Sequence, residues 1–211
     1  MLVCLLLSAN AIAENYRVTL LRAAPGSLLS LINEVKTLKN DQNDKLVIMR
    51  HSQGDHWDLM LLAPQGKNPT LQYNFTSALA FQHTFLAKSD IDWPEIVKRT
   101  SRSDMFHIEM FNAAPGKLNE LVKQRHMENV YYQHTKREGN VVFETTFGSD
   151  MDVFTIGFYK DLVTFAQKPE LPESAFEHAA IKAGFDSGDA IGLYLRELLS
   201  SHHDTFATKV E

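Results

Sequence analysis

The chain has 211 residues, of which 44% are hydrophobic, and a formal net charge of −5 at pH 7. This length corresponds to one or two domains, and this apolar content is enough for a packed core. The Lys and Arg residues form no concentrated stripe. Nucleic acid and anionic membrane surfaces are therefore not expected partners, because both bind a concentrated positive field.

Residues 1–13 are an uncharged apolar run that ends in Ala11-Ile12-Ala13. Small residues at the first and third of these positions are typical of a signal-peptide cleavage site, so Glu14 is predicted to begin a mature chain that is periplasmic or secreted. The run is too short to span a bilayer as a helix, so no integral membrane span is expected after processing. The single cysteine, Cys4, lies in this run, which leaves the predicted mature chain without thiol chemistry.

Two similar stretches of sequence follow one another. The tetrapeptide AAPG occurs at residues 23–26 and again at 113–116, each time between an alternating apolar run and an amphipathic stretch. Apolar residues around it agree at a separation of 90 residues, and the pair Asp58 and Asp152 agrees at a separation of 94. Agreement over several elements predicts that one α+β unit is repeated in tandem.

The first copy contains four predicted strands and one helix. Alternation predicts a strand over 16–22, and helical spacing predicts a helix that follows Pro25-Gly26. Two strands over 45–51 and 57–62 are joined by a turn-rich Ser-Gln-Gly-Asp tetrapeptide, which is typical of a hairpin. Residues 82–88 resemble residues 202–209, and we expect each stretch to close its unit.

The second copy repeats this order and adds helices. Its predicted elements are strands over 106–112, 141–147 and 152–159, a helix over 115–131, helices over 172–183 and from Asp189, and a last strand that begins near Asp204. Between the copies, Asp92-Trp93-Pro94 is a helix start with Asp as its cap. The predicted divisions are a signal peptide (1–13), a first unit (14–88), a linker (89–104) and a second unit (105–211) with a helical insertion at 168–201.

The order strand, helix, strand, strand, helix, strand is ferredoxin-like, and its sheet leaves one face uncovered. The predicted fold class is therefore α+β, with two tandem ferredoxin-like units packed sheet to sheet as a pseudo-dimeric α/β barrel around a cavity. With its Pro-Gly turn after the first strand, the chain resembles the dimeric α/β-barrel superfamily, particularly NIPSNAP-like and EthD-like proteins. That superfamily includes cofactor-free oxygenases, cyclases, isomerases, aldoxime dehydratases and haem proteins, so the resemblance selects no reaction.

Alternation divides the strand residues between two sheet faces. One face is wholly apolar, with Tyr16 and Val18 in the first copy and Phe106 and Ile108 in the second, and is assigned to the helix layer. The mixed face is assigned to the cavity, where charges that differ between the copies would converge. The catalytic candidates on it are His107, Glu109, Glu144 and Arg50.

His107 is the candidate general base or acid, because an imidazole can take and return a proton near neutral pH, and Glu109 or Glu144 could orient it. Arg50 or Arg17 would hold a carboxylate or a developing enolate. The further candidates for ligand binding are His51, Trp57, His83 and His203. For each candidate the alternative is a solvated or salt-bridged structural role. Asp58 and Asp152 are expected to accept hydrogen bonds from backbone N–H groups at their turns.

The sequence thus predicts an exported protein that binds a small organic molecule. The leading hypothesis is cofactor-independent acid/base chemistry of the isomerase, cyclase or monooxygenase type, and whether the chain is an enzyme is left open. No metal or cofactor is predicted. The alternatives are a haem-binding or haem-processing protein, with His83, His178 or His203 as axial ligand, and a non-catalytic periplasmic binding module. Homo-oligomer formation stays open.

Overall fold

The computed structural model describes residues 13–41, 45–53, 56–66 and 73–211. The predicted signal peptide falls almost entirely on residues 1–12, and the predicted hairpin turn includes residues 54–55; both lie outside the described residues. Within the described part of the chain, no helix has the length and apolar character needed to cross a membrane.

The first half of the chain forms four strands and one helix among its described residues. They are β1 (Glu14–Ala23), α1 (Leu28–Asp41), β2 (Val47–Gln53), β3 (Leu59–Pro64) and β4 (Leu79–Ser89), and α2 (Trp93–Ser101) follows. The first strand and helix lie where alternation and helical spacing predicted them. The strands β2 and β3 each begin two residues later than predicted.

The second half adds helices to the same pattern. Its elements are β5 (Met105–Ala113), α3 (Leu118–His134), β6 (Val141–Phe147), β7 (Val153–Tyr159), α4 (Leu162–Ala166), α5 (Glu173–Ala183), α6 (Ala190–Glu197) and β8 (Leu199–Lys209). The last strand begins at Leu199 rather than near Asp204, so that prediction was wrong. The reason is that β8 pairs with nearly all of β5, from Leu199 opposite Ala113 to Thr208 opposite Met105.

The eight described strands form one closed antiparallel barrel in the order β1-β3-β2-β8-β5-β7-β6-β4. The strands of the first half are adjacent in the order β4-β1-β3-β2, and those of the second half follow the matching order β8-β5-β7-β6. Pairing of β2 with β8 and of β4 with β6 joins the two halves. The predicted α+β class and the closed barrel are confirmed.

An apolar cluster drawn from both halves fills the barrel. Among its members are Val18 and Phe85 of the first half and Phe106, Ile108 and Phe154 of the second, all fully buried. The interior of an eight-stranded barrel is just wide enough for side chains to fill it. Val18, Phe106 and Ile108 were predicted to lie beneath the helices, so the assignment of the two faces was wrong: the apolar set points inward, and the mixed set points outward.

The helices cover the outer face. Helix α1 packs on the first half through Leu31 and Val35, in a cluster with Leu21 of β1. Helix α3 packs on the second half through Leu121, beside Phe111 of β5. The outward-pointing residues of the second half therefore lie between a sheet and a helix layer rather than between two sheets.

Helix α2 closes one end of the barrel. Ile96 is fully buried in the interior cluster, and Ile91 and Trp93 pack against the same cluster. The backbone N–H of Glu95 donates to Asp92 Oδ1 at 3.0 Å, which confirms the predicted capped helix start. The linker between the halves is thus part of the core.

Asp58 and Asp152 make the same hydrogen bond at matching turns. The backbone N–H of Ala23 donates to Asp58 Oδ2 at 2.8 Å, and that of Ala113 donates to Asp152 Oδ2 at 2.8 Å. Each carboxylate satisfies a backbone donor at the end of a strand, where the ladder no longer does so. The predicted structural role of this pair is confirmed.

Candidate functional site

Four predicted ligand-binding residues lie on the interior side of the barrel at the end away from α2: His51, Trp57, His83 and His203. His83 pairs across strands with Leu20, and His203 pairs with Met110, both of which belong to the interior cluster. The His51 ring lies 5.3 Å from that of Trp57, whose side chain is buried in the same cluster. The structure therefore brings these four residues to one barrel end.

Three other candidates are separated from that end and from one another. The guanidinium of Arg17 lies 4.4 Å above the ring of Tyr73, outside the first half of the barrel. Arg50 is exposed on β2, on the face opposite the interior cluster. Glu144 Oε2 lies 3.2 Å from Lys88 Nζ across the seam between β4 and β6. The prediction that Arg17, Arg50 and Glu144 converge in a central cavity was wrong, because all three belong to the outward set.

His107 and Glu109 do lie together, on the outer face of β5 beneath the helices of the second half. Glu109 Oε2 accepts a hydrogen bond from Thr155 Oγ1 at 2.9 Å and another from Asn140 Nδ2 at 3.3 Å. Arg125 of α3 places its Nη1 3.7 Å from the same oxygen. The Arg125 side chain is 2% exposed and that of Glu109 is 15% exposed, so this contact is nearly removed from water.

A second carboxylate competes for the same guanidinium. Arg125 Nη2 donates to Glu128 Oε2, and Tyr132 donates to Glu128 Oε1 at 2.7 Å. Two carboxylates and one cation in a buried site carry an excess negative charge, which is costly in a low-dielectric medium. Burial accordingly raises the pKa of Glu109, although Arg125 opposes the rise. Glu109 therefore keeps its proton to a higher pH than an exposed carboxyl group does, beside the Arg125–Glu128 ion pair.

The sheet beneath these groups carries no side chain at Gly157, which pairs with His107 across the strands. A Cβ placed on Gly157 would lie 2.7 Å from Asn140 Oδ1 and 2.8 Å from Cε2 of Tyr159. Glycine in a strand interior is typical of such a close approach. Asn140 and Tyr159 therefore meet His107 and Glu109 above one bare stretch of backbone. Burial also raises the pKa of Tyr159, and Arg137 opposes the rise.

Three adjoining clefts of about 540, 410 and 330 Å³ reach this region, and Arg137 lines all three. Its guanidinium lies 4.8 Å from the ring of Tyr132. The largest cleft is also lined by Phe165, whose ring lies 5.0 Å from that of His107. Tyr159 lines the smallest. A small molecule in these clefts would thus meet the cation of Arg137 and, in the smallest cleft, the phenol of Tyr159. Two wall residues contact the pair behind them: Phe165 packs on His107, and Asn140 of the 410 Å³ cleft donates to Glu109.

The first-half positions that match Glu109 and the residues around it are apolar or small, whereas Arg17 stands at the position of His107. At the separations seen in the sequence, Thr19 stands where the second half has Glu109, Leu46 where it has Asn140, and Ala63 where it has Gly157. All three first-half residues are buried. The polar group is therefore a property of the second half.

Sequence reasoning missed eight residues of this site: Arg125, Glu128, Tyr132, Arg137, Asn140, Thr155, Gly157 and Tyr159. Two of them carried a signal. Arg125 continues the apolar stripe of Leu118 and Leu121 on α3, and an arginine at a buried helix position needs a buried partner. Gly157 interrupts an apolar strand. The others carry no shared spacing, because they are divided among α3, the connection between α3 and β6, and β7.

No known family matches the chain, and no curated protein does so either. Solved structures do match. One is an anthrone oxidase-like protein, with a TM-score of 0.61 and 10% identity over 94% of this chain and 92% of that one. Another is a heme-binding protein from Thermus thermophilus, with a TM-score of 0.51 and 13% identity over 95% and 92%. At these identities the likeness concerns the fold alone, which in this chain is a closed antiparallel barrel with helices on its outer face.

Proposed function

We propose that the chain binds a small organic molecule on the outer sheet face of its second half and moves a proton at a carbon beside a carbonyl group, without a cofactor. The observation that carries this proposal is the convergence of His107, Glu109, Asn140 and Tyr159 above Gly157. Enclosed polar groups with shifted pKa values beside a cleft are typical of a catalytic or binding site.

Glu109 supplies the acid in this proposal. Its Oε2 is held by Thr155 and Asn140, so the carboxyl group has a fixed orientation. Because burial raises its pKa, it keeps its proton under conditions where an exposed carboxyl group would have lost it. A positioned neutral acid can give a proton to an oxygen that gains negative charge.

His107 supplies the base, and Arg137 stabilises the charge. The substrate C–H proton passes to the imidazole of His107, and the electron pair of that bond moves to the carbonyl oxygen. The resulting enolate oxygen lies against the guanidinium of Arg137 or receives the proton of Glu109. Return of the proton from His107 to the same carbon completes an exchange, and its return to the γ carbon of a conjugated enolate completes an isomerisation. In either case the C=O bond reforms, and a proton taken from Glu109 goes back to Glu109.

The neighbouring protein described as heme-binding raises haem as a second candidate. The largest cleft does not fit it. Five of its described lining residues are charged, and none is His, Met or Cys. Tyr131 lines it, but burial raises the pKa of this phenol and so disfavours the phenolate that would bind iron. Of the histidines considered as axial ligands, His178 is exposed on α5, and neither His83 nor His203 is among the lining residues.

We also propose that the two halves are tandem ferredoxin-like units that diverged in function. Their matching strand orders and the repeated Asp58 and Asp152 hydrogen bonds support a duplication. In this proposal the first unit kept an apolar helix layer, and the second gained the polar group around Glu109. Membership of the NIPSNAP-like or EthD-like branch and export from the cell stay predictions.

Native mass spectrometry of the purified protein tests binding. We expect a bound mass of a few hundred daltons in the wild type and its loss in Gly157→Val, because the added side chain displaces Asn140 and Tyr159. Glu144→Gln is the control, since that residue lies at the β4–β6 seam, and it should retain the bound molecule. Retention of the molecule by Gly157→Val would place the ligand elsewhere.

Exchange of the ligand's acidic C–H proton in D2O, followed by NMR, tests the chemistry. Glu109→Gln keeps the shape of the side chain but cannot ionise, so it should bind the ligand while exchange slows by about 10²–10⁴-fold, as is usual for loss of a general acid or base. His107→Gln should do the same. Equal exchange rates in both variants and the wild type would mean that the protein binds the ligand without acid/base chemistry.

A further inference from the structure

Helix α4 is short and presents apolar side chains to water. It has five residues, and Leu162 and Val163 are 57% and 75% exposed. Asp161 caps its first turn by accepting a hydrogen bond from the N–H of Thr164 at 2.7 Å. A helix of this length gains little from its own hydrogen bonds and depends on packing against the rest of the molecule.

The packing of α4 centres on the ring of Phe165. This ring lies 5.0 Å from His107, 5.1 Å from Tyr159 and 4.9 Å from Phe206, measured between ring centroids. The contacts with Tyr159 and Phe206 are edge to face, with interplanar angles of 87° and 81°. Three rings from three strands thus form a cage around one aromatic side chain of the helix.

The cage stands over the proposed site. His107 pairs with Gly157 on one side and with Phe206 on the other, so the ring of Phe165 lies above the same stretch of outer sheet face. Phe165 also forms part of the wall of the 540 Å³ cleft. Any molecule that passes from this cleft to the imidazole of His107 must share that space with Phe165.

We propose that α4 is a lid, and that Phe165 fills a subsite for a flat apolar group in the unliganded protein. The inference deepens the proposed function and rests on it for the identity of the natural ligand. When a ligand enters, the ring of Phe165 leaves the cage of His107, Tyr159 and Phe206, and a flat part of the ligand takes its place. Binding therefore competes with lid closure, and the closed lid lowers the apparent affinity.

The dye 8-anilinonaphthalene-1-sulfonate is a suitable probe, because it combines flat rings with an anionic group that Arg137 can bind. Its fluorescence reports transfer from water to an apolar site. We expect Phe165→Ala to bind the dye at least about fivefold more tightly than the wild type, since the competing closed state is removed. Val163→Ala is the matched control on the same helix. The Val163 side chain is largely exposed, so the dissociation constant of the dye for this variant should stay within about twofold of the wild-type value.

Unchanged or weaker dye binding by a folded Phe165→Ala variant would overturn the lid, because the ring would then be part of the binding wall. If Phe165→Ala fails to fold, Phe165→Leu replaces it, with the same expectation. Hydrogen exchange adds an independent reading: amides of residues 162–167 should exchange faster than those of α5 in the free protein, and equal protection would contradict the lid.

These outcomes are separable from those of the proposed function. Glu144→Gln should bind the dye like the wild type, because Glu144 lies at the β4–β6 seam, away from the Phe165 cage. Tighter dye binding by Phe165→Ala, together with no proton exchange in the wild type, would support the lid and contradict the proposed acid/base reaction. Unchanged or weaker dye binding by this variant, together with proton exchange in the wild type, would contradict the lid and support the reaction.

Discussion

At the scale of single residues, strand alternation separates two sets of side chains but does not say which set points inward. On β5, Phe106 and Ile108 belong to one set and His107 and Glu109 to the other. In a closed barrel under helices, both faces are covered, so burial alone does not distinguish them. The distinction lies in polarity. A barrel filled by side chains has no room for water to satisfy polar groups, whereas a helix can bring a partner such as Arg125 to the outer face.

The raised pKa of Glu109 predicts how stability depends on pH. Above about pH 4.5, the ordinary pKa of this group, the unfolded chain loses the proton while the folded protein keeps it. The folded state then binds more protons than the unfolded state, so this group makes the free energy of unfolding fall as pH rises. The fall stops once pH passes the raised folded pKa. Glu109→Gln lacks this dependence. Its free energy of unfolding should therefore rise relative to that of the wild type as pH increases from about 4.5.

Urea unfolding of both proteins between pH 4 and 8, followed by circular dichroism, measures this difference directly. Other titrating groups are common to the two proteins and cancel to first order. A variant that instead loses stability relative to the wild type as pH rises would show that Glu109 is ionised and stabilised by Arg125.

At the scale of elements, sequence patterns predicted best where local chemistry defines a boundary. The Asp92 cap and the Pro94 that follows it fixed the start of α2, and the turn of residues 24–27 fixed the start of α1. The start of β8 was missed because Leu198 and Leu199 continue the apolar spacing of α6. There the long-range pairing of β8 with β5 outweighs the local pattern.

Helix α2 offers a test of whether the linker is structural. Ile96 is fully buried at the barrel end, while its neighbour Val97 is 38% exposed. Ile96→Ala removes buried methyl and methylene groups and leaves a cavity, so it should lower the free energy of unfolding by about 2–5 kcal/mol. Val97→Ala should change it by no more than about 0.5 kcal/mol. Equal small effects in urea unfolding would mean that α2 does not seal the barrel.

At the scale of the whole molecule, the barrel could be predicted because the same order of strands and helix occurs twice in the sequence. The site could not be predicted in the same way. Glu109, Arg125 and Asn140 belong to a strand, a helix and a loop, and their contacts depend on how α3 lies across the sheet. No spacing along the chain encodes that crossing. His107 and Glu109 were found because they lie two apart on one strand, which is the range over which alternation carries information.

The barrel also predicts that the two halves unfold together. The interior cluster mixes residues of both halves, and the seams join β2 to β8 and β4 to β6. Both tryptophans, Trp57 and Trp93, lie before the second half and contact this cluster, so their fluorescence reports on the first half and the linker. Ile156→Val removes one methylene from the fully buried second-half part of the cluster, and such a change typically costs about 0.5–1.5 kcal/mol.

We expect Ile156→Val to lower the urea midpoint of tryptophan fluorescence and that of far-ultraviolet circular dichroism by the same amount, since a single cooperative transition requires coincident probes. Ile181→Val is the control, because Ile181 is 54% exposed on α5, and its midpoint should stay at the wild-type value. A tryptophan midpoint that does not move while the circular dichroism midpoint falls would show two independently folding units. In that case the shared interior would contribute little to the stability of the first half.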